Sequence, residues 1–475
     1  MFLVENLNKY KSEKSKYEMP LKNKLEYIDQ NEALLIEYLI DFLKIQSIST
    51  NPKFSNHCEA AANWLVSQLL NLGFEVKAHK TSGHPIVLAS SGEGSTHLLF
   101  YGHYDVQPAD PLEEWQNDPF EPTIESRSNG KVICARGASD DKGQLMTFIN
   151  ACAAFIKTDG CLPCKITILI EGEEETGSPS LVDFLKKNKE TLTADYALIC
   201  DTGMWDYNTP AISTMLRGML GEEMTIKAAN KDLHSGMYGG PALNPIKELA
   251  RVVSSLHDKN GKITIDGFYN GVPEVPKDIK QQWNNLNFST KEFLGAVGLS
   301  KTVGEKSYSL LEQIWARPTC EINGIWGGYT AQGFKTVIPS EAHAKISFRL
   351  VGNQEPEEIR SKFRKHIRQT LHEDCEVTFL PKDGSKAVSV SIESSTIKAA
   401  HKALSEEWGV TPVYAGCGGS IPVVVSLKEI LDIDSLLVGF ALDDDQIHSP
   451  NEKYNLISYQ KGAKSWIRII HELTC

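Results

Sequence analysis

No stretch of the 475-residue chain offers the ~20 consecutive apolar residues that span a bilayer. The nearest, 33–43, is broken by Glu37 and Asp41, so no membrane-spanning segment is expected. Positive charge is also short: 49 Lys+Arg against 61 Asp+Glu leave a net charge of −12, a field that repels phosphate backbones and anionic lipid surfaces. Neither nucleic acid nor a membrane is an expected partner. The opening MFLVENLNKYKSEKSKYEMP lacks the basic, apolar, small-residue order of a secretory leader, which points to a cytoplasmic protein. Cysteine is too thinly spread for a disulfide framework: there are 10 in the chain, most of them, such as Cys134, Cys152 and Cys200, inside apolar runs where they read as small core residues. The CLPC at 161–164 has redox or metal spacing but stands alone. Repeats and low-complexity tracts are absent. With 41% hydrophobic and 23% charged residues and a mean hydropathy of −0.26, the composition is that of an ordinary folded protein of two or three domains.

What is present reads first as α/β. Amphipathic runs at 31–45 and 58–72, the second ending at Gly73, predict helices. Short apolar runs at 97–101, 165–170 and 197–200 predict buried parallel strands, with helical crossovers at 144–157 and 181–189. After Tyr207 the texture changes: 222–228 and 343–350 alternate like half-exposed antiparallel strands, and 261–318 is polar and irregular. Past the Lys-Asp-Gly-Ser turn at 382–385, a helix near 394–408 and an apolar run at 435–440 restore the first texture. This order predicts an α/β domain, 1–207 and 385–475, split by an inserted α+β domain, 208–384.

Catalytic groups in open α/β sheets sit just past the carboxyl ends of strands, and the residues found there are all of metal-ligating type. The run at 97–101 is followed by GHYDVQP, with His103 and Asp105 on one face of extended backbone. The run at 131–135, also read as a strand, is followed by RGASDDKG with Asp140 and Asp141; 165–170 by EGEEETGS with Glu173, Glu174 and Glu175; 197–200 by Asp201; 435–440 by ALDDDQIHSPNE with His448. Each alone has a bland explanation as a surface pair, a solvated loop or a helix cap. Five in succession do not, because converging carboxylates repel and need cations to neutralise them. Two imidazoles with several carboxylates and no thiolate suit Zn²⁺, with Mn²⁺ or Co²⁺ also compatible.

These motifs, with the HSG at His234 and the GGSIP that holds Gly419 and Ser420, resemble in order and spacing the di-metal peptidase family that includes carnosinases, aminoacylases and succinyl-diaminopimelate desuccinylases. In detail the chain looks most similar to its cytosolic nonspecific dipeptidase branch. The resemblance implies a zinc-peptidase-like catalytic domain with a mostly parallel sheet, interrupted by an α+β lid and dimerisation domain. It implies two divalent ions per subunit, bridged by Asp140, with His103 and Asp201 completing one site and Glu174 and His448 the other. Glu173 would be the general base, Asp105 would fix the His103 tautomer, and the peptide Asp140–Asp141 would be cis. His234 would act in the partner subunit of a homodimer. Arg349 would grip a C-terminal carboxylate, and Thr336, Ser420 and Gly419, with Asp201 and His448, would make further substrate contacts.

Other chemistries fit less well. Ser420 is followed by Ile421 and Pro422 and so cannot form a G-x-S-x-G elbow; GEGSTH and GCGGSI each lack the third glycine of a dinucleotide loop. A non-catalytic homologue is disfavoured because every ligand position is filled. In the family, aspartate at position 201 goes with dipeptidases and aminopeptidases. The expected activity is therefore hydrolysis of dipeptides with a free C-terminus, with N-acyl amino acid deacylation or a desuccinylase-like reaction as the alternative.

Overall fold

The computed structural model describes residues 20–474 apart from Asn287 and Ser420; the lysine-rich opening segment, read as a surface arm, lies outside the described residues. The chain divides into two units. The first runs to Thr214 and resumes over Val390–Ala415 and Pro422 onward; the second is Met215–Ser389 together with Gly416–Ile421. Both cuts fall a few residues later than the change in texture suggests, and the glycine turn carrying Gly419 belongs with the second unit rather than with the first. Glycines leave no hydrophobic pattern by which to assign a segment to one core or another.

The first unit is built on a mixed sheet whose centre is parallel. His97–His103 lies between Lys165–Glu171 and Tyr196–Ile199, parallel to both, and Ser435–Leu437 continues the parallel set beside Tyr196–Ile199. Ile86–Ser91 and Glu75–His79 extend one edge antiparallel. Buried on both faces, the central strands are near-continuous apolar runs: His97–His103 is buried from Leu98 onward and Lys165–Glu171 from Ile166 onward. The helix Lys142–Asp159 packs against this sheet through Phe148, which stacks on Phe100 at 3.8 Å, while Trp466 of the helix Leu456–Thr474 meets both rings edge-on. Its buried face extends almost all round, from Lys142 to Phe155, and it ends at Gly160, whose φ of 76° is the left-handed cap that glycine supplies.

The run at 131–135 departs from expectation. It forms Gly130–Cys134, the middle strand of a separate antiparallel sheet with Thr123–Arg127 and Lys453–Asn455. A short apolar run reports burial and not the sheet that buries it.

The second unit is α+β. Its antiparallel sheet has the order Thr319–Gly327, Glu341–Leu350, Gly218–Lys227, Glu376–Ser385. The strict alternation of Gly218–Lys227 and Glu341–Leu350 sends Leu220, Met224, Ile346 and Phe348 into a core shared with Leu249 and Val252 of helix Pro245–Ser254 and Ile359 and Phe363 of helix Pro356–Thr370. Glu222 is held in this layer by Arg360 at 2.7 Å and Arg364 at 2.6 Å. No helix among the described residues is long and apolar enough to cross a membrane.

Candidate metal centre

Five segments of the first unit deliver polar side chains to one place. His103 is the last residue of its strand. Asp201 follows Tyr196–Ile199, Asp140 precedes the helix Lys142–Asp159, the glutamates 173–175 follow Lys165–Glu171, and His448 stands on the 441–452 loop. His103 Nε2 is 3.1 Å from Asp140 Oδ1, and His448 Nε2 is 2.9 Å from Asp140 Oδ2. Each oxygen of Asp140 therefore faces one imidazole. Ligand-type atoms of His103, Asp140 and Asp201 lie within 4.8 Å of one another, and so do those of Asp140, Glu175 and His448. The two triads share only Asp140. The peptide Asp140–Asp141 is cis.

The glutamate turn corrects the sequence reading by one residue. Glu175, not Glu174, faces His448, at 3.4 Å, and is steadied by Gln107 Nε2 at 2.7 Å. Glu174 lies in electrostatic reach of His103, Asp140 and Asp201 without belonging to either triad. Glu173, expected as the base, is in neither triad: it is buried, and a Cβ at Gly83 would collide with its carboxylate. The physical reason is the short 3₁₀ turn Glu174–Thr176 that Glu173 caps. With ~3 residues per turn, successive side chains point about 120° apart, so three adjacent glutamates face three directions.

Asp105 is fully buried and does more than orient an imidazole. His103 Nδ1 is 3.1 Å from the Asp105 carbonyl oxygen and 3.5 Å from its carboxylate, which fixes the ring with Nε2 turned toward Asp140. The carboxylate accepts the backbone N–H groups of Glu174 at 3.2 Å and Glu175 at 3.1 Å, and the Ser49 hydroxyl at 2.6 Å. It thus ties the histidine strand to the glutamate turn.

Glu452, which the motifs did not single out, braces the other side. Its carboxylate accepts from the backbone of Gly137 at 2.8 Å, Ser139 at 2.8 Å and Asp140 at 3.0 Å, and pairs with buried Arg136 at 2.8 Å. Ser139 Oγ–H donates to Asp445 at 2.6 Å. Glu452 is four residues from His448 in SPNE; that proximity was the one signal available.

The electrostatics show a cluster short of positive charge. Burial pushes the Asp201 and Asp141 carboxyls well above the carboxylate range, with Asp140 adding to both. Burial opposes the charged forms of His103 and Asp140, yet Asp105 and then Asp140 raise the imidazole, and His103 with His448 holds the Asp140 carboxyl well below the usual carboxylate range. His448, held first by Asp140 and then by Glu175, is raised to about 10. Buried Glu175 Oε1 and Asp141 Oδ1 have no hydrogen-bond partner among the described residues. Unsatisfied carboxylate oxygens beside two imidazoles, with no thiolate present, are the donor set of divalent transition ions rather than of an alkali ion.

The remaining candidate residues lie in the second unit. His234 pairs with Val337 in a two-residue ladder, and Ser235 N donates to the Thr336 carbonyl at 3.1 Å, so His234 and Thr336 are neighbours; both are exposed. Arg349 lies on the half-exposed face of Glu341–Leu350. Gly419 is partly buried in its turn, and Ser420 lies outside the described residues.

Residues 99–472 match the model of Peptidase family M20/M25/M40. The Cys-Gly metallodipeptidase dug1 of Schizosaccharomyces pombe is 30% identical over 96% of this chain and 98% of its own length. Human carnosine dipeptidase 1 superposes with a TM-score of 0.75 at 27% identity, covering 96% of this chain and 99% of that one. A metallo-carboxypeptidase of Sulfolobus solfataricus, Sso-CP2, superposes with a TM-score of 0.78 at 31% identity, covering 93% and 99%.

Proposed function

The chain belongs to peptidase family M20/M25/M40 and is a metallopeptidase, and from that premise we propose that it hydrolyses dipeptides carrying a free C-terminal carboxylate. The observation that carries the reading is the division of labour at Asp140, one oxygen to each imidazole, in a chain similar over nearly its whole length to metallodipeptidases. His103, Asp140 and Asp201 would hold one divalent ion, and Asp140, Glu175 and His448 a second, Zn²⁺ by donor chemistry with Mn²⁺ or Co²⁺ also accommodated. When bound, such a pair polarises the scissile carbonyl and acidifies a water.

The chain's own residues supply the rest. Glu174, adjacent to both triads and part of neither, takes the proton of the attacking water and passes it to the leaving amine. Asp105 holds Glu174 and Glu175 by their backbone amides, so the base and the ligand are positioned by one carboxylate. Arg349 binds the substrate carboxylate as a guanidinium fork. His234, exposed on the insert, stabilises the tetrahedral oxyanion from the partner subunit of a homodimer. A cytoplasmic setting agrees with cysteines such as Cys152 and Cys200 that serve as small buried core residues.

The test is amine release from simple dipeptides, a tripeptide, and N-acetyl and N-succinyl amino acids, using chelated enzyme reconstituted with Zn²⁺ or Mn²⁺. Metal-dependent cleavage confined to dipeptides is expected. Cleavage of the tripeptide alone would favour a carboxypeptidase like Sso-CP2, and cleavage of the acyl amino acids alone a deacylase.

A further inference from the structure

His448 is the one exposed residue of the two triads. It stands in a run, 446–449, whose four residues are all exposed and form neither helix nor strand. Gln446, His448 and Asn451 take left-handed φ angles of 57°, 62° and 64°, a region that residues other than glycine occupy at a cost and keep only where their surroundings hold them. Burial and secondary structure do not supply that hold, so side chains must.

Asn451 is placed to do it. Its Oδ1 accepts the backbone N–H of Gln116 at 2.7 Å, and its Nδ2 donates to the Glu114 carbonyl at 2.8 Å. A single planar amide thus uses its acceptor and a donor on main-chain groups two residues apart, a two-point bond that fixes orientation as well as distance. The segment it grips is itself anchored. Trp115 Nε1–H donates to the Ala109 carbonyl at 2.7 Å, and its ring packs on the buried cluster of Ile48, Val106, Ala109 and Phe120. Arg136 crosses between the same two stretches, its Nη2 donating to the Pro108 carbonyl at 3.1 Å and to that of Ser449 at 3.3 Å. Gln107, which steadies Glu175, belongs to this segment as well. The stretch that leaves the His103 strand therefore holds both His448 and Glu175, the residues that would complete the second ion site with Asp140. All of them lie in the first unit.

We infer that Asn451 is a positioning residue for the second ion: its amide latches the exposed loop to 114–116 so that His448 meets Asp140 and Glu175. This rests on the reading of His448 as a metal ligand and is independent of the substrate. The experiment titrates the chelated, full-length protein with Zn²⁺ against a competing chelator. It compares the wild type with Asn451→Gly, Asn451→Ala, His448→Ala and the Asn451→Gly/His448→Ala double variant. Glycine keeps the left-handed φ and loses the latch, whereas alanine loses both. Either change at Asn451 is expected to weaken one ion about tenfold or more, the scale on which lost support of a ligand lowers affinity, and to leave the other within about twofold. The weakened ion should be the one that His448→Ala loses, so the double variant should bind no worse than His448→Ala alone. A merely structural role would lower both affinities together, or only the melting temperature; either result, or wild-type affinity in Asn451→Gly, overturns the inference. If Asn451→Gly does not fold, Asn451→Ala decides by the same comparison of the two ions. The reading of His448 fails separately: if the wild type binds fewer than two ions, or His448→Ala still binds both as the wild type does, that reading is wrong and the inference falls with it. Loss of one ion in His448→Ala with none weakened at Asn451 overturns the inference alone.

Discussion

His103 and His234 were singled out by the same kind of reading, a histidine in a short polar motif, yet they are built differently. His103 is 1% exposed, ends a buried strand, and has Asp105 and Asp140 on its two ring nitrogens. His234 is exposed, stands in a two-residue strand, and among the described residues its ring accepts a local N–H, that of Gly236 at 3.1 Å. A residue of the first kind has its chemistry fixed by its own unit before any substrate arrives. One of the second kind acquires its role from whatever approaches it. The candidate metal centre and the substrate contacts proposed for the insert divide along this line.

The comparison can be broken most sharply at the glutamate turn. Glu174→Gln is expected to lower kcat by about 10³-fold, within the range of a lost general base, with metal content by atomic emission unchanged. Glu173→Gln, which faces Gly83, should stay within a few-fold of the wild type. The reverse pattern would restore Glu173 as the base and mean that the turn is differently wound in solution. Next in size is His234→Ala, expected to lose about 10²-fold in kcat as a homodimer. Mixing it with Glu174→Gln should recover activity, since a heterodimer then holds one site with both an intact base and an intact histidine; verified heterodimers without activity would make His234 a residue of its own subunit. The smallest effect is expected from Glu452→Gln. It touches no reacting atom, but weakens the acceptor of three backbone amides and leaves Arg136 less well paired, and should reduce metal affinity about tenfold, as loss of ligand support does. Unchanged affinity in a metal titration would show that the Asp140 loop holds its shape unaided.

Most of the central sheet was legible because its strands are apolar runs ended by polar ligands. His97–His103 and Lys165–Glu171 begin where their runs begin. The choice among Glu173, Glu174 and Glu175 was not legible: three identical side chains carry no periodic signal, and a single backbone turn decides which way each points. Nor was Glu452 legible, since its contact with Asp140 spans 312 residues and a lone glutamate in a loop has no signature of what it will hold.

The unequal shelter of the two imidazoles has a consequence in time. An ion held by His103 would sit behind a fully buried strand end, while one held by His448 would depend on a loop residue that is exposed and at a left-handed φ of 62°. Residence there would end sooner. Dialysis should therefore empty the two positions in sequence, the His448 side first, and a preparation caught midway is a population of half-loaded molecules whose average activity belongs to none of them.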